Sequence, residues 1–155
     1  DYAENIMIVD LLRNDLSKVC EDNSVTVTDL CRIEQFEGLF HLVSDVQGKL
    51  RTGKTAKDLL MACFPGGSIT GAPKEKAMEI IREQERSARG VYCGSLGWIG
   101  ADGAMETNIA IRTVFYKDKE IWFHVGGGIT TLSNPQKEYE ETELKARAIK
   151  GSFLL

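Results

Sequence analysis

The sequence predicts a mixed α+β fold in which antiparallel strands are flanked by helices. Two observations predict it: apolar residues recur at helical spacing in three parts of the chain, and β-rich runs separated by short turns lie between them. The resulting order of helix, strands, helices, strands and helix differs from the regular alternation of parallel α/β folds. The length of 155 residues, with 43% hydrophobic and 27% charged residues, suits one globular domain.

The first half of the chain opens with a helix and continues with paired strands. Met7, Ile8 and Leu11 recur at helical spacing, and the polar run over 21–24 ends the helix. Glycines and two prolines exclude regular structure over 64–74. The predicted elements are a helix over residues 2–20, strands from 25 to 33 and from 39 towards 50 around Glu37-Gly38, and a short helix near 55–63.

The second half begins with a helix and ends with one. Pro73 suits the first turn of the first of these helices, and Ser133-Asn134-Pro135 supplies a side-chain cap followed by proline at the start of the last. The predicted elements are a helix carrying Ala77, Met78, Ile80 and Ile81, three antiparallel strands between Tyr92 and about Thr131 with turns at 101–103 and 117–120, and a helix that runs to about Lys150.

Composition argues against several classes of protein. The formal net charge is −4, from 19 basic and 23 acidic side chains, which is unlike a nucleic-acid binder. Apolar runs fall far short of the roughly 20 residues that cross a bilayer. The four cysteines form no C-x-x-C pair, which argues against a zinc site or a disulfide framework and favours a reducing, cytoplasmic compartment. Because the chain starts at Asp1 inside a helical pattern and without Met, we expect a piece of a longer protein.

Two glycine-rich segments depart from the nucleotide-binding motifs. Lys74 follows Gly71 by three residues, with a proline in front of it, whereas a P-loop lysine directly follows its last glycine. Residues 126–128 are three consecutive glycines without the spacing of a dinucleotide-binding fingerprint. Such glycines instead let backbone N–H groups approach a ligand, for instance a carboxylate.

Carboxylates on the two terminal helices are candidates for a metal site. Glu4 shares a helix face with apolar residues, and Glu138, Glu141 and Lys145 lie on one edge of the last helix. The structural alternative is a solvated helix-end glutamate and an exposed Glu141 to Lys145 pair worth about 0.3–0.5 kcal/mol. The functional alternative is that the carboxylates converge on a hard cation such as Mg²⁺. Sequence spacing leaves both open.

Three further side chains suit an anionic substrate, and each has a structural alternative. His41 lies in an apolar strand, where core packing is the commoner role, but an acid that titrates near neutrality could protonate a departing hydroxyl. Arg112 shares a predicted strand face with Glu106 and Asn108, and is either a carboxylate-binding fork or part of a polar outward face. Tyr92 offers a phenol donor, or packs at the start of a strand.

Together and in this order, the segments resemble the C-terminal part of the chorismate-utilising enzymes, over essentially the whole chain. The segment Pro-Gly-Gly-Ser-Ile-Thr-Gly-Ala-Pro-Lys is the most specific, and its wording is most similar to the aminodeoxychorismate synthases, component I, with the anthranilate synthases, component I, as the runner-up. The segments that carry the resemblance are 4–15, His41-Leu42-Val43-Ser44, 65–74, 107–112, 126–129, and 138–142 with Lys145.

The resemblance implies a fold, a set of roles and a reaction. The fold is the C-terminal half of the chorismate-binding α/β sandwich, with residues 1–155 as that portion of the domain and the N-terminal portion absent. The implied reaction converts chorismate, with ammonia from a glutamine amidotransferase partner, into 4-amino-4-deoxychorismate for para-aminobenzoate and folate synthesis. A lysine nucleophile upstream of the first signature is implied as well, so we expect the isolated chain to be inactive.

The roles that the resemblance implies fall into three groups. The catalytic residues would be His41, which assists loss of the C4 hydroxyl, and Ser68 and Thr70, which line the pocket. The carboxylates of chorismate would be bound by Tyr92, Arg112, Gly127, Gly128 and Lys145. Mg²⁺ would be bound by Glu4 and Glu141, with Glu138 and Asp1 holding its waters.

Two other kinds of function stay open on the sequence. The chain could be a non-catalytic chorismate-binding or subunit-interface module. Isomerisation to isochorismate, or salicylate formation, would keep the metal and carboxylate residues but requires a water nucleophile and its base. The Gly-Ala-Pro-Lys loop with Ser68 and Thr70 favours amination, by resemblance.

Overall fold

A computed structural model of the chain describes residues 2–36 and 39–153. Asp1 and the predicted turn at Glu37-Gly38 lie outside the described residues. The helices are α1 (Tyr2–Ser17), α2 (Ala56–Cys63), α3 (Lys74–Gln84) and α4 (Pro135–Gly151), and a 3-10 turn spans Gly67–Ile69. The strands are β1 (Thr26–Phe36), β2 (Leu39–Gln47), β3 (Ser95–Ile99), β4 (Met105–Ile109), β5 (Val114–Lys117) and β6 (Glu120–Phe123).

The chain divides into two compact units. The first comprises Asp1–Arg86 and Gly97–Thr107, and the second comprises Ser87–Leu96 and Asn108–Leu155. The described strands form two-stranded sheets, in which β1 pairs with β2, β3 with β4, and β5 with β6. The first and last of these pairs are antiparallel. The predicted class of antiparallel strands with helices is therefore confirmed.

In the first unit, α1 is tied to the hairpin of β1 and β2 by one amide side chain. Asn5 donates from Nδ2 to the main-chain oxygen of Leu42 at 3.1 Å, and its Oδ1 accepts from the Ser44 hydroxyl at 2.5 Å. Beyond this link, a small core forms around Leu16, Val19 and Cys20, packed against by Leu12, Val25, Val46, Leu50, Leu59, Ala62 and Cys63. The core thus joins α1, the hairpin and α2.

Two helices begin at caps that are visible in the sequence. Thr55 and Asp58 form a capping box at α2, in which the Thr55 N–H donates to Asp58 Oδ2 at 2.9 Å and the Asp58 N–H donates to Thr55 Oγ1 at 3.4 Å. Asn134 Oδ1 accepts from the N–H groups of Gln136 and Lys137 at the start of α4. The predicted cap with proline at the first helical position is confirmed.

The predicted strand count is wrong, because four strands are described between residues 92 and 131 instead of three. The long run after β4 is interrupted at Ile111, whose N–H donates to the Ile109 oxygen two residues back, and Arg112 has φ +51. β4 therefore ends at Ile109, and the chain bends through Ile111 and Arg112 before β5 begins at Val114. The turn between β5 and β6 has positive φ at Asp118 and Lys119, as a tight hairpin turn does.

The glycine-rich loop also contains more structure than predicted. The 3-10 turn Gly67–Ile69 packs on α1, where a Cβ at Gly67 would lie 3.0 Å from Leu11 Cβ. The Thr70 hydroxyl donates to the Gly66 oxygen at 2.9 Å and holds the turn closed. Glycine suits position 67, because a Cβ there would pack so tightly against Leu11 that the Leu11 side chain or the turn would have to shift. Among the described residues, no helix combines the length and apolar character needed to cross a bilayer.

Candidate functional site

One edge of α4 faces the glycine segment in the second unit. Side-chain atoms of three predicted site residues surround the position that a Cβ on Gly127 would occupy: Glu138 Oε2 at 3.4 Å, Glu141 Oε1 at 3.9 Å and Lys145 Nζ at 4.0 Å. The helical spacing of i, i+3 and i+7 places them on that edge. The structure therefore brings together four of the predicted residues around one point.

Lys145 links this helix edge to the loop. Its Nζ forms an ion pair with Glu141 Oε1 at 2.6 Å and donates to the Gly126 oxygen at 3.0 Å. The Lys145 side chain is 30% exposed and that of Glu141 is 52% exposed. Within the described part of the chain, these two acceptors engage an ammonium that carries three donors, which leaves one donor direction available for an anion.

Tyr92 reaches the same loop from the turn that precedes β3. Its hydroxyl lies 2.9 Å from the position that a Cβ on Gly126 would occupy, so a side chain at residue 126 would push the phenol away. The turn is held by the Cys93 N–H, which donates to the Ala110 oxygen at 3.0 Å. Tyr92 thus lies before the strand in a turn, where the sequence predicted the start of a strand.

The edge carries two carboxylates, those of Glu138 and Glu141, and carboxylate oxygens are the kind of ligand that Mg²⁺ requires. Among residues 2–36 and 39–153, no group of three or more His, Cys, Asp or Glu side chains is arranged to hold a metal ion. Mg²⁺ is commonly bound through one or two carboxylates, with water and substrate oxygens completing the octahedron. Glu138 and Glu141 fit that mode. Glu4 belongs to the first unit, so its part in a metal site stays a prediction.

Arg112 lies elsewhere than predicted. The sequence placed it on a strand face with Glu106, Asn108 and Ala110, but β4 ends at Ile109 and Arg112 occupies a bend at φ +51. Its side chain is exposed, and Ala110, assigned to the same outward face, is only 1% exposed. The predicted shared face is therefore wrong, while the predicted contact of Arg112 with a carboxylate stays a prediction. Gly128 is likewise exposed, next to the loop positions described above.

The remaining predicted catalytic residues belong to the first unit. His41 is half-buried on β2 and pairs across the hairpin with Glu34, whose Oε1 accepts from Arg32 Nε at 2.9 Å. Directly opposed residues project to the same face, so His41 shares a face with charged side chains. Ser68 is exposed on the 3-10 turn and Thr70 is half-buried behind it.

Sequence reasoning missed a buried ion pair and an aromatic contact. Asp15, 2% exposed, accepts from Lys74 Nζ at 2.5 Å and from Lys18 Nζ at 2.7 Å. Lys74 also donates to the main-chain oxygen of Cys63 at 3.4 Å, and burial, then the charge of Asp15, raises the pKa of the Cys63 thiol. The sequence did contain one indication of this pair, because Asp15 and Lys74 are the last residues of the segments 4–15 and 65–74 that carry the family resemblance. His124, the second histidine, stacks on Tyr92.

Comparison with known proteins gives one consistent result. A family model described as chorismate binding enzyme matches residues 1–151. The chain is 49% identical over 149 residues to anthranilate synthase component 1 of Aquifex aeolicus and 48% identical to aminodeoxychorismate synthase component 1 of Salmonella typhimurium; in each case 96% of the chain is covered. It spans 30% and 33% of those two proteins, about a third of their length.

Two solved structures are similar to the chain. The crystal structure of anthranilate synthase component I from Streptococcus pneumoniae has a TM-score of 0.89 at 44% identity, with 95% of this chain and 34% of that chain covered. A Bacillus anthracis protein assigned as a 2,3-dihydroxybenzoate-specific isochorismate synthase has a TM-score of 0.88 at 25% identity, with 99% of this chain and 40% of that chain covered.

Proposed function

The chain belongs to the family of chorismate binding enzymes, and on that premise we propose that it supplies the carboxylate-binding and metal-binding side of an enzyme that aminates chorismate. The observation that carries the proposal is the convergence of Glu138, Glu141 and Lys145 on the Gly126–Gly127 backbone, with the Tyr92 hydroxyl beside it. Lys145 and Tyr92 provide a cationic donor and a hydroxyl donor for an anion, and the two glutamates provide oxygen ligands for a hard cation. A dianionic substrate that binds beside a metal ion would require both.

Electrostatics explains why both kinds of group are needed. A site made of glutamates alone would repel chorismate, whereas Mg²⁺ bound there reverses the local field and polarises a carboxylate. Glu138 and Glu141 would hold the metal. Lys145 and Tyr92 would donate to substrate oxygens, as would the backbone N–H of Gly128, and Arg112 would provide a further fork.

The proposed reaction replaces a ring hydroxyl with an amino group. Hydroxide is a poor leaving group, so His41 would protonate the departing oxygen. Ser68 and Thr70 would line the pocket at the loop that packs on α1. The ammonia would come from a glutamine amidotransferase partner, and 4-amino-4-deoxychorismate is the product that the wording of the 65–74 loop favours.

Anthranilate is the second candidate product. It is favoured by the names of relatives in Aquifex aeolicus, Synechocystis and Saccharolobus solfataricus, each called anthranilate synthase component 1 and 47–49% identical to the chain. Because the chain spans about a third of such relatives, the activity is proposed for the complete natural protein and not for these 155 residues alone.

The experiment incubates the complete natural protein with chorismate, Mg²⁺ and an ammonium salt, and then separates the products by chromatography. Anthranilate and aminodeoxychorismate have different masses and retention, so the assay names the product directly. Absence of any chorismate consumption with both Mg²⁺ and ammonium present would contradict the proposal. Consumption without incorporation of nitrogen would favour isomerisation instead.

A matched pair of variants on α4 tests the metal-binding edge. Mutation of outer partners of metal ligands already costs about 10–100-fold in metal affinity or activity, so Glu141→Gln is expected to lose at least as much. Glu140→Gln is the control, because Glu140 is exposed and accepts from Gln136 Nε2 at 2.9 Å on the same helix. Equal turnover and equal Mg²⁺ dependence in the two variants would count against the role of Glu141.

A further inference from the structure

Four aromatic rings of the second unit form a connected series that ends at the glycine segment. The imidazole of His124 lies nearly parallel to the Tyr92 ring, with centroids 5.2 Å apart and an interplanar angle of 16°. The Phe115 ring meets the edge of His124 at 6.4 Å and stacks on Trp122 at 5.8 Å. The rings therefore run from the β5–β6 hairpin to the turn that carries Tyr92.

The position of His124 connects two parts of the proposed carboxylate site. It follows β6 directly and precedes Gly126 by two residues, and Gly126 is the residue against which the Tyr92 hydroxyl lies. The same glycine accepts from Lys145 Nζ at 3.0 Å. A displacement of the Tyr92 ring would therefore change the orientation of the phenol relative to both the loop and the ammonium.

We propose that His124 is a positioning residue that holds the Tyr92 phenol against the Gly126 backbone, so that the hydroxyl is ready to donate to a substrate carboxylate beside Lys145. The inference rests on the proposed binding of chorismate at this edge. It assigns no proton transfer to His124, because a flat ring at this position is sufficient to support Tyr92. Arg89, whose guanidinium lies 5.9 Å from the Tyr92 ring centroid, adds a cation–π contact to the same phenol ring.

The expected effect of removing the His124 ring follows from the usual strength of an aromatic contact. Aromatic pairs contribute a free energy equivalent to about a two- to tenfold change in an equilibrium constant. The loss should appear in the KM for chorismate, because the phenol binds a carboxylate that is present in the substrate before and after the chemical step. The kcat should change much less.

The experiment compares His124→Ala, His124→Phe and Tyr92→Phe in the complete natural protein, with chorismate as the varied substrate. We expect His124→Ala to raise KM by about two- to tenfold, and His124→Phe to recover most of that loss because phenylalanine restores the stack. The double variant His124→Ala/Tyr92→Phe should be no worse than Tyr92→Phe alone. Tyr116→Ala, which removes an aromatic ring that is 71% exposed on the same hairpin, is the matched control.

Several results would overturn the proposal. If His124→Phe lost as much as His124→Ala, the imidazole would act by itself and not through Tyr92. Additive losses in the double variant would also mean that the two residues act independently. If the wild-type protein consumed no chorismate, the proposed function would fail, and the stack would be tested by proton NMR. The ring-current shift of the His124 imidazole protons, assigned by their loss in His124→Phe, should decrease in Tyr92→Leu to the part that Phe115 contributes, and an unchanged shift would refute the contact.

Discussion

Removal of the buried carboxylate of Asp15 is expected to be the most damaging single change in the first unit. Asp15 is the one charged residue that is buried among the described residues, at 2% exposure. It joins α1 to the last residue of the 65–74 loop through Lys74, whose side chain is 16% exposed. Lys18, its second partner, is 54% exposed and therefore contributes little by comparison.

The structure sets the order of three variants. Asp15→Asn removes the charge that opposes the Lys74 ammonium and leaves it only neutral acceptors, such as the Cys63 carbonyl at 3.4 Å, and breaking one side of a buried pair costs about 3–5 kcal/mol. Lys74→Met is expected to cost less, because Lys18 remains beside the carboxylate at 2.7 Å. Lys18→Met removes a half-exposed partner and should cost about 0–1 kcal/mol.

Equilibrium unfolding in urea, followed by circular dichroism, measures these differences in free energy. Replacing both members, as in Asp15→Leu/Lys74→Met, should destabilise less than Asp15→Asn, because no unpaired buried charge remains. This double variant also keeps the test informative if Asp15→Asn does not fold. The reasoning is refuted if Asp15→Asn falls within about 1 kcal/mol of Lys18→Met, the range of exposed pairs.

Two further predictions concern local contacts of the first unit. Asn5→Ala should lower the free energy of unfolding by about 1–3 kcal/mol, since the Leu42 oxygen and the Ser44 hydroxyl lose a part-buried partner. An unchanged urea midpoint would contradict it. Hydrogen bonds from Thr55 hold the pKa of Asp58 below its ordinary value. The ionised carboxylate therefore stabilises the fold at pH values above the pKa that Asp58 has in the unfolded chain. This stabilisation is lost as the pH falls through the pKa that Asp58 has in the folded protein. The free energy of unfolding of Thr55→Ala should therefore fall less than that of the wild type between about pH 5 and pH 2. If the two proteins lost the same free energy over that range, the prediction would be wrong.

The parts of the fold that local sequence controls could be predicted. The start of α4 depends on Asn134 and Pro135, which act on backbone groups two or three residues away, and the capping geometry is the expected one. The hairpin of β1 and β2 follows from alternating apolar residues in two adjacent runs. Helical spacing similarly predicted that Glu138, Glu141 and Lys145 share an edge, because three, four and seven residues along a helix lie on one side.

The features that the sequence did not predict depend on backbone torsion angles or on residues that are far apart along the chain. A strand pattern continued through Arg112 in the sequence, but β4 ends at Ile109 and the chain bends through Ile111 and Arg112, which has φ +51. The Asp15 to Lys74 pair joins residues 59 positions apart, and His124, which follows β6, stacks on Tyr92 in the turn before β3. Helical spacing relates only residues within one or two turns of each other, so contacts between distant residues can be identified only once the fold is known.

The same physical reasoning explains why the product is harder to infer than the substrate. Carboxylate recognition by an ammonium, a phenol and backbone N–H groups depends on the anion and is unaffected by which nucleophile attacks the ring. Proteins named for anthranilate and for aminodeoxychorismate are 49% and 48% identical to this chain, and a protein assigned as an isochorismate synthase keeps a TM-score of 0.88 at 25% identity. The fold is thus shared by proteins named for several different products. Under the proposed function, the choice among those products depends on the groups that deliver ammonia or water, so the identity of the product is the decisive measurement.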